Sequence, residues 1–262
     1  MRLSLFKLAL VLIVSVLVGC ASKPAQPAQE ANNAPQQRYV DNRDPLETIN
    51  RPFWDFNYDI LDRYFLRPVT VGYMAVVPKP ARKSLVNVAS NLNEPASFLN
   101  GALQAKPQSA AISAGRFLVN STLGIFGLFD VATKIGLVEQ DEDFGQTLAV
   151  WGAGNGPYLM LPALGPTTVR DTTGKVVDNL YFPLALLNAP LTIARGAIAA
   201  LDGREKLMSM ENMLDESLDP YAFIKESYFQ YQQFKVFDGN PPQPPEPDID
   251  EDVFDDLLDD LD

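Results

Sequence analysis

Few residues in this chain have the types and spacing that chemistry needs. Gly152, Gly154 and Gly156 have the density of a phosphate-binding loop. A nucleotide cradle, however, runs from its glycines straight into a helix N-terminus and carries a Lys-Ser/Thr or a later acidic residue. Here Gly156 meets Pro157 and no such lysine follows, so the cluster reads as a turn that shapes a wall. Asp141, Glu142 and Asp143 could suggest calcium, but a calcium loop needs acids at alternating positions closed by a bidentate Glu. Three in a row read as a solvated cluster, and no metal site is expected. The 262 residues contain no histidine and a single cysteine, Cys20. That removes disulfides, Ser–His and Cys–His nucleophile pairs and His/Cys metal clusters. Glu226-Ser227 has the order of the catalytic pair of lysozyme-like transglycosylases, yet no glycine-rich substrate segment follows it. No catalytic residue and no cofactor are expected.

The chemistry that does stand out is lipidation. Residues 1–19 form a signal peptide, with Arg2 and Lys7 as its charged part and Leu8 to Leu17 as an apolar run too short to span a bilayer comfortably. The leader closes on Leu17-Val18-Gly19-Cys20, the pattern of a bacterial lipobox, in which cleavage before Cys20 accompanies its acylation. Several acyl chains anchor stably because each buried methylene contributes about 0.8 kcal/mol. Ala21, rather than Asp, at the next position implies sorting to the outer membrane of a Gram-negative envelope, facing the periplasm. Loss of Arg2 and Lys7 leaves 19 basic residues against 33 acidic ones and a mature charge of −14. Nucleic acid, which requires a basic footprint, is excluded.

The elements that carry the rest read as helical. Residues 20–43 are a lipidated N-terminus and flexible linker, rich in Ala, Pro, Gln and Asn without apolar periodicity. The folded domain is expected over 44–238. Asp44 stands where it could cap a helix, with Pro45 at the first position and Glu47 three residues on. Phe53, Trp54, Phe56, Tyr58, Tyr64 and Phe65 then crowd together; such aromatics are core, or else a belt with rings at headgroup depth. Pro78 to Pro107 predicts two helical pieces, with Leu85, Val88, Leu92, Ala96 and Leu99 at helical spacing and Pro95 as a start or kink. The apolar run from Ala111 to Val138 is broken by Asn120, Ser121, Thr122, Gly124, Gly127 and Asp130. It lacks the roughly 20 continuous residues a span needs and reads as buried or re-entrant.

From Gly152 to Pro166 the glycines and prolines argue against regular structure. Tyr158, Leu159, Met160 and Leu161 are nevertheless too apolar for a free loop, so this backbone must be buried or line a cavity or membrane interface. Thr167 or Thr168 caps a following helix that carries Arg170, Asp171, Lys175 and Asp178. Asp171 and Lys175 stand in the favourable i,i+4 order for an exposed pair. Tyr181 to Leu201 is almost wholly apolar, but Pro183, Asn188, Pro190 and Arg195 predict a bent hairpin dipping into membrane or core. Arg195 snorkels or pairs with a core acid, or it lines a polar path. Leu214 to Asp238 predicts an aromatic amphipathic helix. Residues 239–262 are a Pro-rich linker and an acidic tail; Val253, Phe254, Leu257, Leu258 and Leu261 recur at helical spacing within it. Alone the tail is expected to be disordered, and its apolar stripe suits a partner groove.

Taken in order, DPLETINR with its aromatic run, YMAVVPKPAR, NLNEPASFLNGALQAKP, RFLVNSTLGIFGLFDVA, FGQTLAVWGAGNGPYLMLPALGPTTVRDTTG and DPYAFIKESYFQYQQF resemble the MlaA (VacJ) family of outer-membrane lipoproteins, over about Asp44 to Asp238. The resemblance implies an all-α, ring-shaped lipoprotein embedded in the outer membrane, with a central polar channel and no full transmembrane helix. It implies removal of mislocalised phospholipids from the outer leaflet and their transfer to a soluble periplasmic phospholipid carrier (MlaC-like), in the company of trimeric porins. Moving a lipid down a leaflet gradient requires no catalytic group. Under the resemblance Arg170, Asp171, Lys175 and Asp178 are channel candidates, and Arg195 matches a basic residue of the family's bent hairpin. Asp55, Phe56 and Asn57 match a segment that resembles a gating element. Two other classes remain: a structural lipoprotein that scaffolds porins without lipid transport, and a carboxylate-based envelope hydrolase. The linker and the acidic tail lie outside the resemblance.

Overall fold

The computed structural model describes residues 41–242, so Cys20, the leader and the acidic tail lie outside the described residues. Helix α1 (Glu47–Asp55) continues without a break into a wider, π-wound segment (Phe56–Leu66) and then into α2 (Arg67–Val76). α3 (Lys79–Leu103) and α4 (Pro107–Thr122) pack on each other as a helical hairpin. Short helices α5 (Val131–Lys134) and α6 (Phe144–Val150) lead to strands β1 (Tyr158–Leu161) and β2 (Gly165–Thr168), which pair antiparallel with Tyr158 opposite Thr168. α7 (Val169–Asp178), a 3-10 turn (Leu184–Leu186), α8 (Ala189–Met208), α9 (Glu211–Asp215) and α10 (Pro220–Val236) complete the domain.

Local sequence sets many of these boundaries. Asp143, Thr168, Asn188 and Asp219 each accept a hydrogen bond from the backbone N–H three residues on, at 2.8 to 3.3 Å. Each such cap contributes about 1 kcal/mol. Pro107 and Pro220 occupy first helical turns, where the missing N–H has no intrahelical partner to lose.

The polarity of the fold is inverted. Among the described residues, the buried side chains comprise 22 polar or charged ones and only nine apolar ones. α3 shows how this arises: Asn91, Glu94, Ser97, Asn100 and Gln104 recur every three or four residues on the buried face, while Leu85, Phe98, Leu99 and Leu103 face outward. Leu123, Phe126, Leu180, Leu186 and Ile193 are likewise at least two-thirds exposed. The apolar core is small. Tyr158 and Met160 of β1 pack against Tyr221, Tyr228 and Phe229 of α10, with Trp54 at the margin.

Several expectations are corrected. The domain is mostly helical rather than all-α, because the Gly/Pro stretch forms a hairpin; Ala163 and Gly165 take left-handed backbone at its turn. Pro95 does not divide α3, which runs unbroken through it with Glu94, Ala96 and Ser97 all buried. Asp44 caps no helix; the residue before α1 is Leu46, and Asp44 is buried among side chains. Phe53, Phe56, Tyr64 and Phe65 are exposed rather than core. In the run from Ala111 to Val138, read as buried or re-entrant, Ser113, Arg116, Asn120 and Ala132 are buried while Leu118, Leu123, Phe126, Phe129 and Val138 are exposed, so its large apolar side chains do not form core. Tyr181 to Leu201 forms a turn followed by one long helix, not a hairpin. No described helix is long and apolar enough to cross a membrane.

α6 and α7 approach at two glycines. A Cβ on Gly174 would stand 2.3 Å from Gly145 N and 2.7 Å from Gly145 Cα, both backbone atoms that cannot rotate away. Gly174→Ala should therefore destabilise the domain by about 1–3 kcal/mol. Gly196→Ala, whose Cβ meets nothing within 4 Å, should be neutral or slightly stabilising within α8. Thermal melting of the two variants in detergent checks the contrast.

Candidate functional site

The candidate polar residues gather along α7. Thr168 begins the helix, and Asp171 one turn in is buried. Its carboxylate accepts from Thr167 Oγ1 at 3.0 Å and Tyr228 OH at 3.2 Å, and pairs with Lys175 Nζ at 2.8 Å. The i,i+4 pair is therefore real but one-sided: the lysine is exposed and the acid is not. Burial and the nearby Asp171 carboxylate together raise the Tyr228 phenol above its usual range. At the end of the helix, Asp178 accepts from Asn100 Nδ2 at 2.8 Å and from the Phe144 N–H at 3.1 Å. Burial dominates its proton affinity and lifts its pKa to about 6, despite those donors.

Two arginines, Arg170 of this helix and Arg195 beside its end, have no ion-pair partner among the described residues. Arg170 Nη1 donates to Ala153 O at 3.2 Å and its backbone N–H donates to Asn155 O, closing the glycine-rich turn onto α7. Arg195 of α8 donates to Asn93 Oδ1 and Asn179 Oδ1, both at 2.8 Å. It is bound to neutral amides, so of the three readings of this residue, pairing with a core acid is not seen among the described residues. Burial lowers the pKa of both guanidiniums, and the Nε of each is buried without a protein partner. The seam thus carries two cationic side chains held by neutral groups, with a buried donor on each left unsatisfied among the described residues.

Asp55, Phe56 and Asn57 lie apart from α7, at the start of the π-wound segment. Asp55 and Phe56 are exposed. Asn57 Nδ2 donates to Leu161 O at 2.8 Å, and the Ala163 N–H donates to Asn57 Oδ1 at 2.7 Å, so this side chain holds the hairpin turn. β2 runs from that turn directly into α7, which links the two groups of candidates through the chain.

The acidic run 141–143 is not a solvated cluster. Glu142 is buried on Lys106 and Ser109, and Asp143 both caps α6 and pairs with Lys235 at 2.6 Å. Burial would raise Asp143, but Lys235 and the Gln146 donors outweigh it and hold the carboxyl below its ordinary value. Among the described residues no group of His, Cys, Asp or Glu is arranged to hold a metal.

Sequence reasoning missed the amides and the ion pair that organise this interior: Asn50, Asn93, Asn100, and Glu94 with Arg116. A signal was present in α3, whose polar residues share the helical period of its leucines. Which of two interleaved stripes faces inward is not a local property of the sequence.

A mostly helical domain that buries a polar seam and turns its large apolar side chains outward has the make-up of a membrane-associated protein. The chain belongs to the MlaA lipoprotein family, whose model matches residues 42–235. It is 37% identical over 213 residues to the intermembrane phospholipid transport system lipoprotein MlaA of Haemophilus influenzae, covering 80% of this chain and 85% of that one. Against the lipoprotein of the same name from Escherichia coli K12 the identity is 36% over 255 residues, 96% of each. A solved structure, from work on the structural basis for maintenance of bacterial outer membrane lipid asymmetry, superposes with a TM-score of 0.71. The two chains share 40% identity, over 74% of this chain and 98% of the other.

The raised Asp178 carboxyl gives a pH test. A group with a raised folded pKa contributes stability below its unfolded pKa, and loses that contribution as pH rises through the folded value. For Asp178 the loss falls between about pH 4 and the folded value of about 6. Wild type should gain melting temperature relative to Asp178→Asn as pH is lowered from 7 to 5. Parallel curves over that range would refute the assignment.

Proposed function

We propose that this chain keeps the outer membrane asymmetric by removing mislocalised phospholipid from the outer leaflet. It does so through a polar passage enclosed by an apolar, ring-shaped body seated in that membrane. The lipid leaves toward a soluble periplasmic carrier, and trimeric porins flank the ring. Cys20 supplies the anchor. The reading is carried by the inverted polarity of the domain. Large apolar side chains such as Phe126, Leu180 and Ile193 face outward, while Asn91, Glu94, Asn100, Arg116 and Asp171 are withdrawn from solvent. In water such an exterior is unfavourable, whereas in lipid it is the expected arrangement, with polar groups turned to the interior or a water-filled path. Membership of a family that includes intermembrane phospholipid transport lipoproteins supports the same direction of reasoning.

Within this reading the α7 seam forms one wall of the passage, and Arg195 and Arg170 face the phosphate of the moving lipid. A phosphodiester accepts hydrogen bonds in the geometry a guanidinium offers, and neither arginine is neutralised by a direct acidic partner.

Deleting the gene should raise outer-leaflet phospholipid, read as acylation of lipid A by an outer-membrane enzyme that consumes such phospholipid. Wild type should reverse the rise and Cys20→Ala should not. Arg195→Gln, folded and anchored, should restore only part of the wild-type effect. An unchanged outer leaflet on deletion would favour a porin scaffold instead, and full activity of Arg195→Gln would remove that residue from the passage.

A further inference from the structure

The segment Phe56–Leu66 is wound more widely than the helices on either side; the Arg67 N–H donates to Asp62 O, five residues back. π winding usually occupies one turn and recurs at functional sites, yet here it extends over 11 residues. Its side chains give a reason. Tyr58 OH donates to Asp215 Oδ1 at 2.7 Å. Arg204 donates through Nε and Nη2 to the two oxygens of Asp62, at 2.5 and 2.8 Å. Arg67 Nη2 donates to Glu211 Oε2 at 3.0 Å, and Arg204 also reaches Glu211. All of these partners belong to the corner where α8 gives way to α9. At 3.6 residues per turn, the path from Tyr58 to Arg67 would take about two and a half turns and leave Arg67 on the opposite side from Tyr58. Wider winding keeps Tyr58, Asp62 and Arg67 on one side, facing one corner.

The hairpin is held from the same continuous helix. Asn50 Nδ2 donates to Tyr158 O at 3.0 Å, and the Met160 N–H donates to Asn50 Oδ1 at 2.9 Å. Asn57, seven residues on, repeats the pattern at Leu161 O and the Ala163 N–H. Each amide offers β1 the acceptor and donor that a neighbouring strand would offer, which satisfies backbone groups at a sheet of only two strands. The first clamp is buried and fixes the base of the hairpin. The second is partly exposed and fixes its turn, where Ala163 holds left-handed backbone.

We propose that Phe56–Leu66 is a strut in which Asn57 and Asp62 are positioning residues: Asn57 grips the hairpin turn, Asp62 is gripped by Arg204, and the hairpin turn is thereby held at a fixed place relative to the α8–α9 corner. β2 leads from that turn into α7, so the strut sets where the α7 wall stands relative to α8, which carries Arg195. Its functional consequence rests on the transport reading; the mechanical coupling does not.

Hydrogen exchange on the full-length lipidated protein in detergent micelles tests the coupling, with Asn57→Ala, Asp62→Asn and Asp202→Asn compared to wild type. Asp202 pairs with Lys206 within α8, and among the described residues it makes no hydrogen bond or ion pair to the strut. Loss of one hydrogen bond should accelerate exchange in the hairpin turn by about fivefold. Asn57→Ala and Asp62→Asn should both do so, although Asp62 makes no contact with the hairpin, and Asp202→Asn should not. Both active variants should also raise outer-leaflet phospholipid in cells lacking the native gene. An Asp62→Asn effect confined to the α8–α9 corner would overturn the strut. Faster turn exchange with an unaltered outer leaflet would overturn its positioning role. Should Asp62→Asn fail to accumulate, Tyr58→Phe, which deletes only the bond to Asp215, reads the same coupling.

Discussion

Arg116 and Glu94 meet where α3 and α4 pack, each 2% exposed, and their ion pair is the interaction on which the rest of this interior leans. Arg116 also donates to Thr133 Oγ1 at 2.9 Å and Leu137 O at 2.7 Å, which ties the segment around α5 to the same point. Two charges withdrawn from water stabilise a fold only if hydrogen bonds occupy their remaining valences, and removing one partner typically costs about 3–5 kcal/mol. Burial still lifts Glu94 to about 7 against the pull of Arg116. An apolar pair would hold two helices in a water-soluble bundle with less difficulty. Here the outside of the bundle is already apolar, so inward-facing polar groups distinguish the inside from the outside.

The same logic extends from α3 to its neighbours. Asn100 bonds Asp178 of α7 and Thr147 of α6; Gln104 bonds Thr147; Arg82 pairs with Glu205 of α8 at 2.6 Å; Asn93 receives Arg195. One helix therefore reaches four others through side chains with directional preferences. Non-directional burial would tolerate sliding between helices, while a set of hydrogen bonds fixes register and orientation. A surface clad in Leu, Phe and Ile would otherwise pack equally well in several ways.

The helices were legible in the sequence because a period of 3.6 is local, and Thr168 was legible as a cap because its partner lies three residues away. Asp44 was misread for the converse reason. Its ligands include Tyr221 and Lys225, 177 and 181 residues along the chain, and nothing near Asp44 announces them. Tyr158 to Leu161 defeated the propensity argument because the groups that complete β1 are side-chain amides of Asn50 and Asn57, supplied from another element. The aromatic run from Phe53 to Phe65 carried two readings, and exposure of most of its rings removes the core one. Inverted polarity was the hardest to read: a helix with one polar and one apolar stripe has the same pattern whichever stripe is buried.

Buried polar groups in folded proteins almost always find partners, so the exceptions carry information about the environment for which a fold was selected. Nine such atoms occur among the described residues, and two groups of them stand out. Glu94 Oε2 and Ser113 Oγ lie in the α3–α4 hairpin, beside the buried ion pair, and belong to its framework. Arg170 Nε, Arg195 Nε and Asn155 Oδ1 belong instead to the α7 wall and the turn that closes onto it. Two of these three are cationic donors, held in place by neutral carbonyls rather than neutralised by acids. Neutral partners orient a guanidinium without the direct ion pair that an acid would add. That arrangement costs stability, and under the transport reading proposed above a contact with the phosphate of a passing lipid would offset that cost.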